Sequence, residues 1–183
     1  MRQLLFILIS CISFASCKSA FEHNKAGMEK LSAELIEEFG AEAWYTSIEL
    51  ENAGSSDDLV SVQQTNDPNS LKQEQWVQAH GFWNKAANVT LTIQGAEPKS
   101  FMFQLNKDMS LSKLGELIET STKSLQEKDV KDTELTLASM KASNQMNTKQ
   151  EGFYYSVILR NKADGKSFRF IYDINGKLKS LDE

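Results

Sequence analysis

Twice along this chain the spacing of apolar residues switches from helical to alternating, and that double switch limits the fold more than any other feature. Met28, Leu31, Leu35, Ile36 and Phe39 recur at helical spacing, with Glu29, Glu34, Glu37 and Glu38 opposite and Gly40 placed to end the helix. Alternation then takes over. Trp44 to Leu50 and Leu59 to Thr65 flank a polar loop as a hairpin, and strand-like segments continue around Gln75 to Trp83, Val89 to Gln94 and Phe101 to Leu105. Ser110 is placed to cap a second helix over residues 111–127, whose apolar stripe is Leu111, Leu114, Leu117, Ile118 and Leu125. Strands resume at Leu135 and Leu137 and again from Phe153 to Asn161. Asp164-Gly165 and Asn175-Gly176 read as two-residue turns closing a three-stranded meander. The expected fold is α+β: an antiparallel sheet with two amphipathic helices packed on one face. Its two helix-then-strands units, 28–105 and 111–183, form a pseudo-repeat in organisation without residue-level identity.

Two-residue turns imply a register. It sets Leu159 opposite Phe170, Val157 opposite Tyr172 and Ile158 opposite Ile171, and it brings Arg160 to face Arg169. Facing like charges destabilise a sheet unless neutralised. The second turn supplies Asp182 opposite Arg169, so the row reads first as a solvated salt-bridge row and second as an anion site.

Ahead of the first helix, Leu4 to Ala15 form an apolar run of the length of an export signal and too short for a membrane span. Phe14-Ala15-Ser16-Cys17 resembles the lipobox of bacterial lipoproteins, with Phe14 where that family more often has Leu. Leu8-Ile9-Ser10-Cys11 also fits the letters but leaves too short an apolar run before it. The resemblance implies a signal peptide over 1–16, acylation of Cys17 and a lipidated tether over 17–27. Lys18 after the anchor resembles the sorting signal that sends such proteins to the outer membrane. The chain has only 2 Cys, so loss of Cys11 and acylation of Cys17 leave no thiol for catalysis and no disulfide.

Chemistry-bearing residues are sparse. His23 and His80 lack a Cys, His or carboxylate at metal-ligand spacing. Glu37-Glu38 and Asp57-Asp58 fall on a solvent-facing helix side and in a Ser-rich loop. The 173–177 segment lacks the terminal Glu of a calcium loop and reads as a turn. No phosphate loop, nucleophile elbow or cofactor fingerprint is present, so neither enzyme activity nor a cofactor is expected. Charge is segregated: residues 17–60 hold 3 basic and 10 acidic side chains, and 141–181 hold 8 and 3. That favours docking between halves or an acidic partner surface over nucleic acid. Trp76, His80, Phe82 and Trp83 form the most suggestive cluster. Read as one strand, it puts Trp76, His80 and Phe82 on one face and Trp83 on the other, either as covered core around a bulge at Gly81 or as an exposed aromatic surface.

Tyr155-Ser156-Val157, Asp164-Gly165-Lys166 and Tyr172 to Leu178 resemble the strand and turn pattern of PepSY-type domains, which implies a non-catalytic binding or inhibitory module. The leading expectation is a lipid-anchored protein of the bacterial cell envelope, in the outer membrane facing the periplasm or the cell surface. It binds another envelope protein or peptide, with Trp76, His80, Phe82, Trp83, Arg160 and Arg169 as the candidate surface. The alternative, resembling lipoprotein-carrier folds, is a carrier whose sheet and helices enclose a lipid around Trp83, Phe101 and Phe103. An enclosed apolar cavity favours the carrier, and a filled core favours the binder.

Overall fold

A computed structural model describes residues 21–54, 58–93, 97–142 and 152–183. Cys17 and the expected signal peptide lie outside the described residues.

The first helix, α1 (Lys25–Phe39), starts where Asn24 accepts the Gly27 N–H at 2.9 Å and ends where the Gly40 N–H bonds the Ile36 carbonyl at 3.0 Å. It begins inside the segment expected to be a tether. Ahead of it, Phe21 packs against the core and His23 Nε2 lies 3.0 Å from Asp58 Oδ1. A meander follows: β1 (Trp44–Glu51), β2 (Leu59–Thr65), β3 (Lys72–Ala79) and β4 (Phe82–Thr90). A short strand, β5 (Phe103–Gln104), pairs with the start of β1. The second helix, α2 (Leu111–Glu127), leads into β6 (Thr133–Ala142), β7 (Phe153–Asn161), β8 (Ser167–Asp173) and β9 (Leu178–Asp182).

The strands form one antiparallel sheet in the order β4-β3-β2-β1-β6-β7-β8-β9. Each helix precedes its own four-stranded run, and the first strand of each run meets the other at the centre, with Ile48 opposite Met140 and Leu50 opposite Ala138. These residues are buried with Val60, Val62, Tyr155, Val157, Phe170 and Tyr172 against the apolar stripes of both helices. Buried hydroxyls on this side are mostly satisfied. Tyr155 OH accepts the Ser110 N–H at 3.0 Å, and Ser121 Oγ meets Tyr172 OH at 2.7 Å. Burial pushes the Tyr155 and Tyr172 hydroxyls up in pKa, against the opposing effect of these two bonds.

The sequence-based register needs three corrections. First, Gln75 to Trp83 is not one strand. His80 (φ 53°) and Gly81 (φ 77°) are both left-handed and turn β3 into β4, with Ala79 opposite Phe82. Trp83 therefore faces Gln78 and lies on the same side as Trp76. Second, Val89 and Thr90 end β4 rather than opening a new strand, and Phe101 lies in a 3₁₀ turn at Pro98–Phe101. Third, the β7–β8 and β8–β9 connections are longer than two residues, because only Gly165 and Gly176, not Asp164 or Asn175, take positive φ. The Asn161 N–H bonds the Lys166 carbonyl at 2.8 Å, which shifts the register to Leu159 opposite Phe168, Val157 opposite Phe170 and Ile158 opposite Arg169. Arg160 thus faces Ser167 and not Arg169. Asp182 does stand opposite Arg169, because a bulge at Lys179 restores the spacing.

The two outer strands differ. β9 is 5 residues long and carries Lys179 and Asp182, whereas β4 is 9 residues long and mostly exposed, with Lys85 as its one charge. A bulge leaves Ala86 unpaired between Lys85 and Ala87.

The helices cross at Gly115, where an added Cβ would lie 2.6 Å from the Asn24 carbonyl oxygen and the Lys25 Cα. Beside the crossing, Glu116 accepts from Lys25 at 2.8 Å and from Lys113 at 2.9 Å. The Lys25 hydrogen bond, followed by that from Lys113, holds the Glu116 carboxyl down at about 2. Gly115→Ala, which would favour an isolated helix, is expected instead to cost about 2 kcal/mol by overpacking against backbone and to lower the melting temperature by about 6 °C. Thermal unfolding checks this. Because the Glu116 pKa is depressed, its stabilisation is complete above the unfolded carboxylate range and disappears as pH falls toward about 2. Urea unfolding should therefore show Glu116→Gln less stable than the parent at pH 7, by less than about 1 kcal/mol at this exposed pair, with the gap closing near pH 2.

Candidate functional site

With both helices on one side, the other face of the sheet carries no helix, although Ser139, Ser156 and Ile171 on it are buried. Cross-strand pairing defines what it presents. One row runs Asn84, Val77, Ser61, Glu49, Ser139, Ser156, Ile171 and Ser180. The adjacent row runs Gln75, Gln63, Ser47, Lys141, Tyr154 and Asp173. Apart from Val77, Ile171 and Tyr154, polar or charged side chains thus occupy the positions where a second packed layer would need apolar ones.

Over the central strands these rows form the floor of an open groove of about 560 Å³. Ser47, Glu49, Gln63 and Lys141 make the floor. Residues 89–93 and Phe101 line one side, and Tyr154 lines the other. The Lys141 Nζ to Glu49 Oε1 ion pair, 3.1 Å long, crosses between β6 and β1 and joins the two halves of the sheet. Ser139 is buried, and its Oγ has no hydrogen-bond partner. At the groove's margin, Thr46 Oγ1 donates to Gln73 Oε1 at 2.8 Å, leaving Gln73 Nε2 unpartnered. A second open groove of about 760 Å³ lies at the β2–β3 turn among Gln64, Asp67, Ser70, Lys72 and Asn88. Gln64 Oε1 is also unpartnered. Gln64 pairs with Glu74, the neighbour of Gln73, so alternation sends the two amides to opposite faces and they do not converge.

The residues singled out in the sequence do not form one surface. Trp76 and Trp83 belong to the helix side, where their rings meet Phe39 edge-on at centroid distances of 5.7 and 5.1 Å. Trp76 Nε1 also donates to Glu74 Oε2 at 3.0 Å. His80 and Phe82 sit at the tip of the β3–β4 hairpin, and Phe82 is 73% exposed. Arg160 and Arg169 lie on β7 and β8, on the far flank of the sheet. Arg160 donates to Glu134 through Nε at 3.0 Å and also through a terminal nitrogen, so a carboxylate already answers its charge.

The turn at 173–177 is held by its own carboxylate. Asp173 Oδ1 accepts the N–H groups of Lys177 and Asn175, each at 3.0 Å, and these bonds hold its pKa below the usual aspartate range. Glu37 and Glu38 are exposed on α1. Asp57 lies outside the described residues, and Asp58 is the partner of His23. Among the described residues, no group of three or more His, Cys, Asp or Glu side chains is placed to hold a metal. No described helix is long and apolar enough to cross a membrane.

The serine row on the open face went unread in the sequence. Its signal was present in Ser61, Ser139 and Ser156, each set among apolar alternates, but it became a row only once the strand order was known. Replacing the unpartnered Ser139 hydroxyl by Ser139→Ala should raise stability by about 1 kcal/mol, seen as a higher urea midpoint with an unchanged slope. Comparison with protein-family models, with curated proteins and with solved structures finds no match for this chain, so the reading of its function rests on its own residues.

Proposed function

We propose that this chain is a lipid-anchored cell-envelope protein that acts as a non-catalytic binding module, engaging another envelope protein or peptide across the helix-free sheet face. The observation that carries the binding half is the one-sided placement of the helices. It leaves a grooved face whose partly exposed Ser47, Glu49, Ser61, Gln63 and Lys141 side chains offer both donors and acceptors. Interfaces of this kind are fixed by hydrogen bonds and charge complementarity, and the ion pair at the floor sets a polarity that a partner must match. The core on the helix side is filled by one contiguous cluster of side chains, which supports the binder over a carrier with an enclosed cavity. The anchoring half is supported by the apolar run before Cys17 and by the small residues leading into it. Two or three acyl chains on one residue would be enough for stable anchoring, where a single chain is only marginal.

The test uses the full chain expressed in a bacterial host. Radiolabelled palmitate should enter the protein and should fail to enter Cys17→Ser. A photo-crosslinking residue at Gln63, on the open face, should give a discrete adduct with an envelope protein, and the same residue at Glu37, on the exposed side of α1, should not. Equal adducts from both positions would argue against the sheet face. A stoichiometric lipid retained in native mass spectrometry would replace this reading by the carrier.

A further inference from the structure

The path by which the chain enters the fold gives the anchored molecule an orientation. His23 is fastened to Asp58, whose side chain is 5% exposed and which immediately precedes β2. Phe21, two residues earlier, already packs on the core. Cys17 stands four residues before Phe21, so covalent geometry alone keeps its Cα within about 14 Å of the Phe21 Cα. A bilayer holding the acyl chains must therefore lie close to the end of the sheet where β2 begins.

The β3–β4 hairpin tip lies at this same end. Val60 pairs with Gln78, one residue before Ala79 and the His80-Gly81 turn, so Phe82 lies about two strand spacings, roughly 10 Å, from the start of β2. Phe82 is 73% exposed, the most exposed large apolar side chain among the described residues, and it is carried on a tight turn that fixes its position. The other exposed apolar residues, Leu71, Ile174 and Leu178, flank turns at the opposite end. A wholly apolar ring on a rigid tip beside the attachment point suits the boundary between headgroups and acyl chains, where Phe gains apolar contact without burying backbone.

We propose that Phe82 is a second membrane contact, seated in the interface of the same bilayer that holds the acylated Cys17, so that the Ile174 and Leu178 end points away from the lipid. This rests on the lipid-anchor reading above. The experiment labels full-length protein, purified from membranes, at Phe82→Cys or Ile174→Cys with an environment-sensitive fluorophore. With Cys17 acylated, the new thiol is the only free one. Each protein is reconstituted into phosphatidylethanolamine–phosphatidylglycerol vesicles, with or without brominated acyl chains, after mass spectrometry of its N-terminus. The expected result is blue-shifted emission at 82 that is quenched by brominated lipid, and water-like, unquenched emission at 174. An acylated protein with a water-like label at 82, or with quenching at 174, would overturn the orientation and leave the anchor standing. A protein without acyl chains would overturn both.

Discussion

The antiparallel pairing of β1 with β6 is the contact on which this molecule depends. Each helix-plus-meander half has one apolar sheet face and one apolar helix stripe, and α1 and α2 meet over the junction of the halves rather than over separate sheets. The seam aligns Ile48 with Met140 and Leu50 with Ala138, so both helices cover one continuous floor. The seam also sets the opposite face. It brings Glu49 and Lys141 together at the floor of the proposed binding groove and lines up the buried serines Ser139 and Ser156 beside them.

Local signals in the sequence were strong where one residue type did one job. The leucine stripe marks α2 over the residues it occupies, and Gly40 ends α1 as expected, whereas the Asn24 cap that starts it went unread in the segment taken for a tether. Phe153 to Asn161 is a strand to the residue. The reading failed where backbone conformation, not hydrophobic pattern, decided the outcome. His80 in a left-handed conformation carries no ordinary turn signature, and it reverses the face assigned to Trp83. Asp164 and Asn175 have the composition of two-residue turns, yet bonds such as Gly165 N–H to the Asn161 carbonyl close longer loops. Each slip moved side chains by one or two positions, enough to pair Arg160 with the wrong neighbour.

Of the candidate surface, less could be read. A cluster in sequence is a cluster in space only if no turn divides it, and the turn at His80-Gly81 divides this one. Two tryptophans go beneath Phe39 and one phenylalanine goes to solvent. The two arginines were linked by register alone, so they separated when the register changed. Segregated charge proved partly architectural, since Lys141 of the basic segment pairs with Glu49 of the acidic one and ties one half of the sheet to the other.

The bulge at Ala86 has a consequence for how the folded molecule meets its own copies. The outer strand that contains it is long, nearly uncharged and free of proline, and a flat edge of that kind is a template for stray strand addition. One extra residue breaks the ladder's regular spacing and increases the local twist, so a neighbouring molecule finds no unbroken run of backbone groups to match. Removing Ala86 would straighten that border and leave an unbroken run of backbone groups open to strand addition.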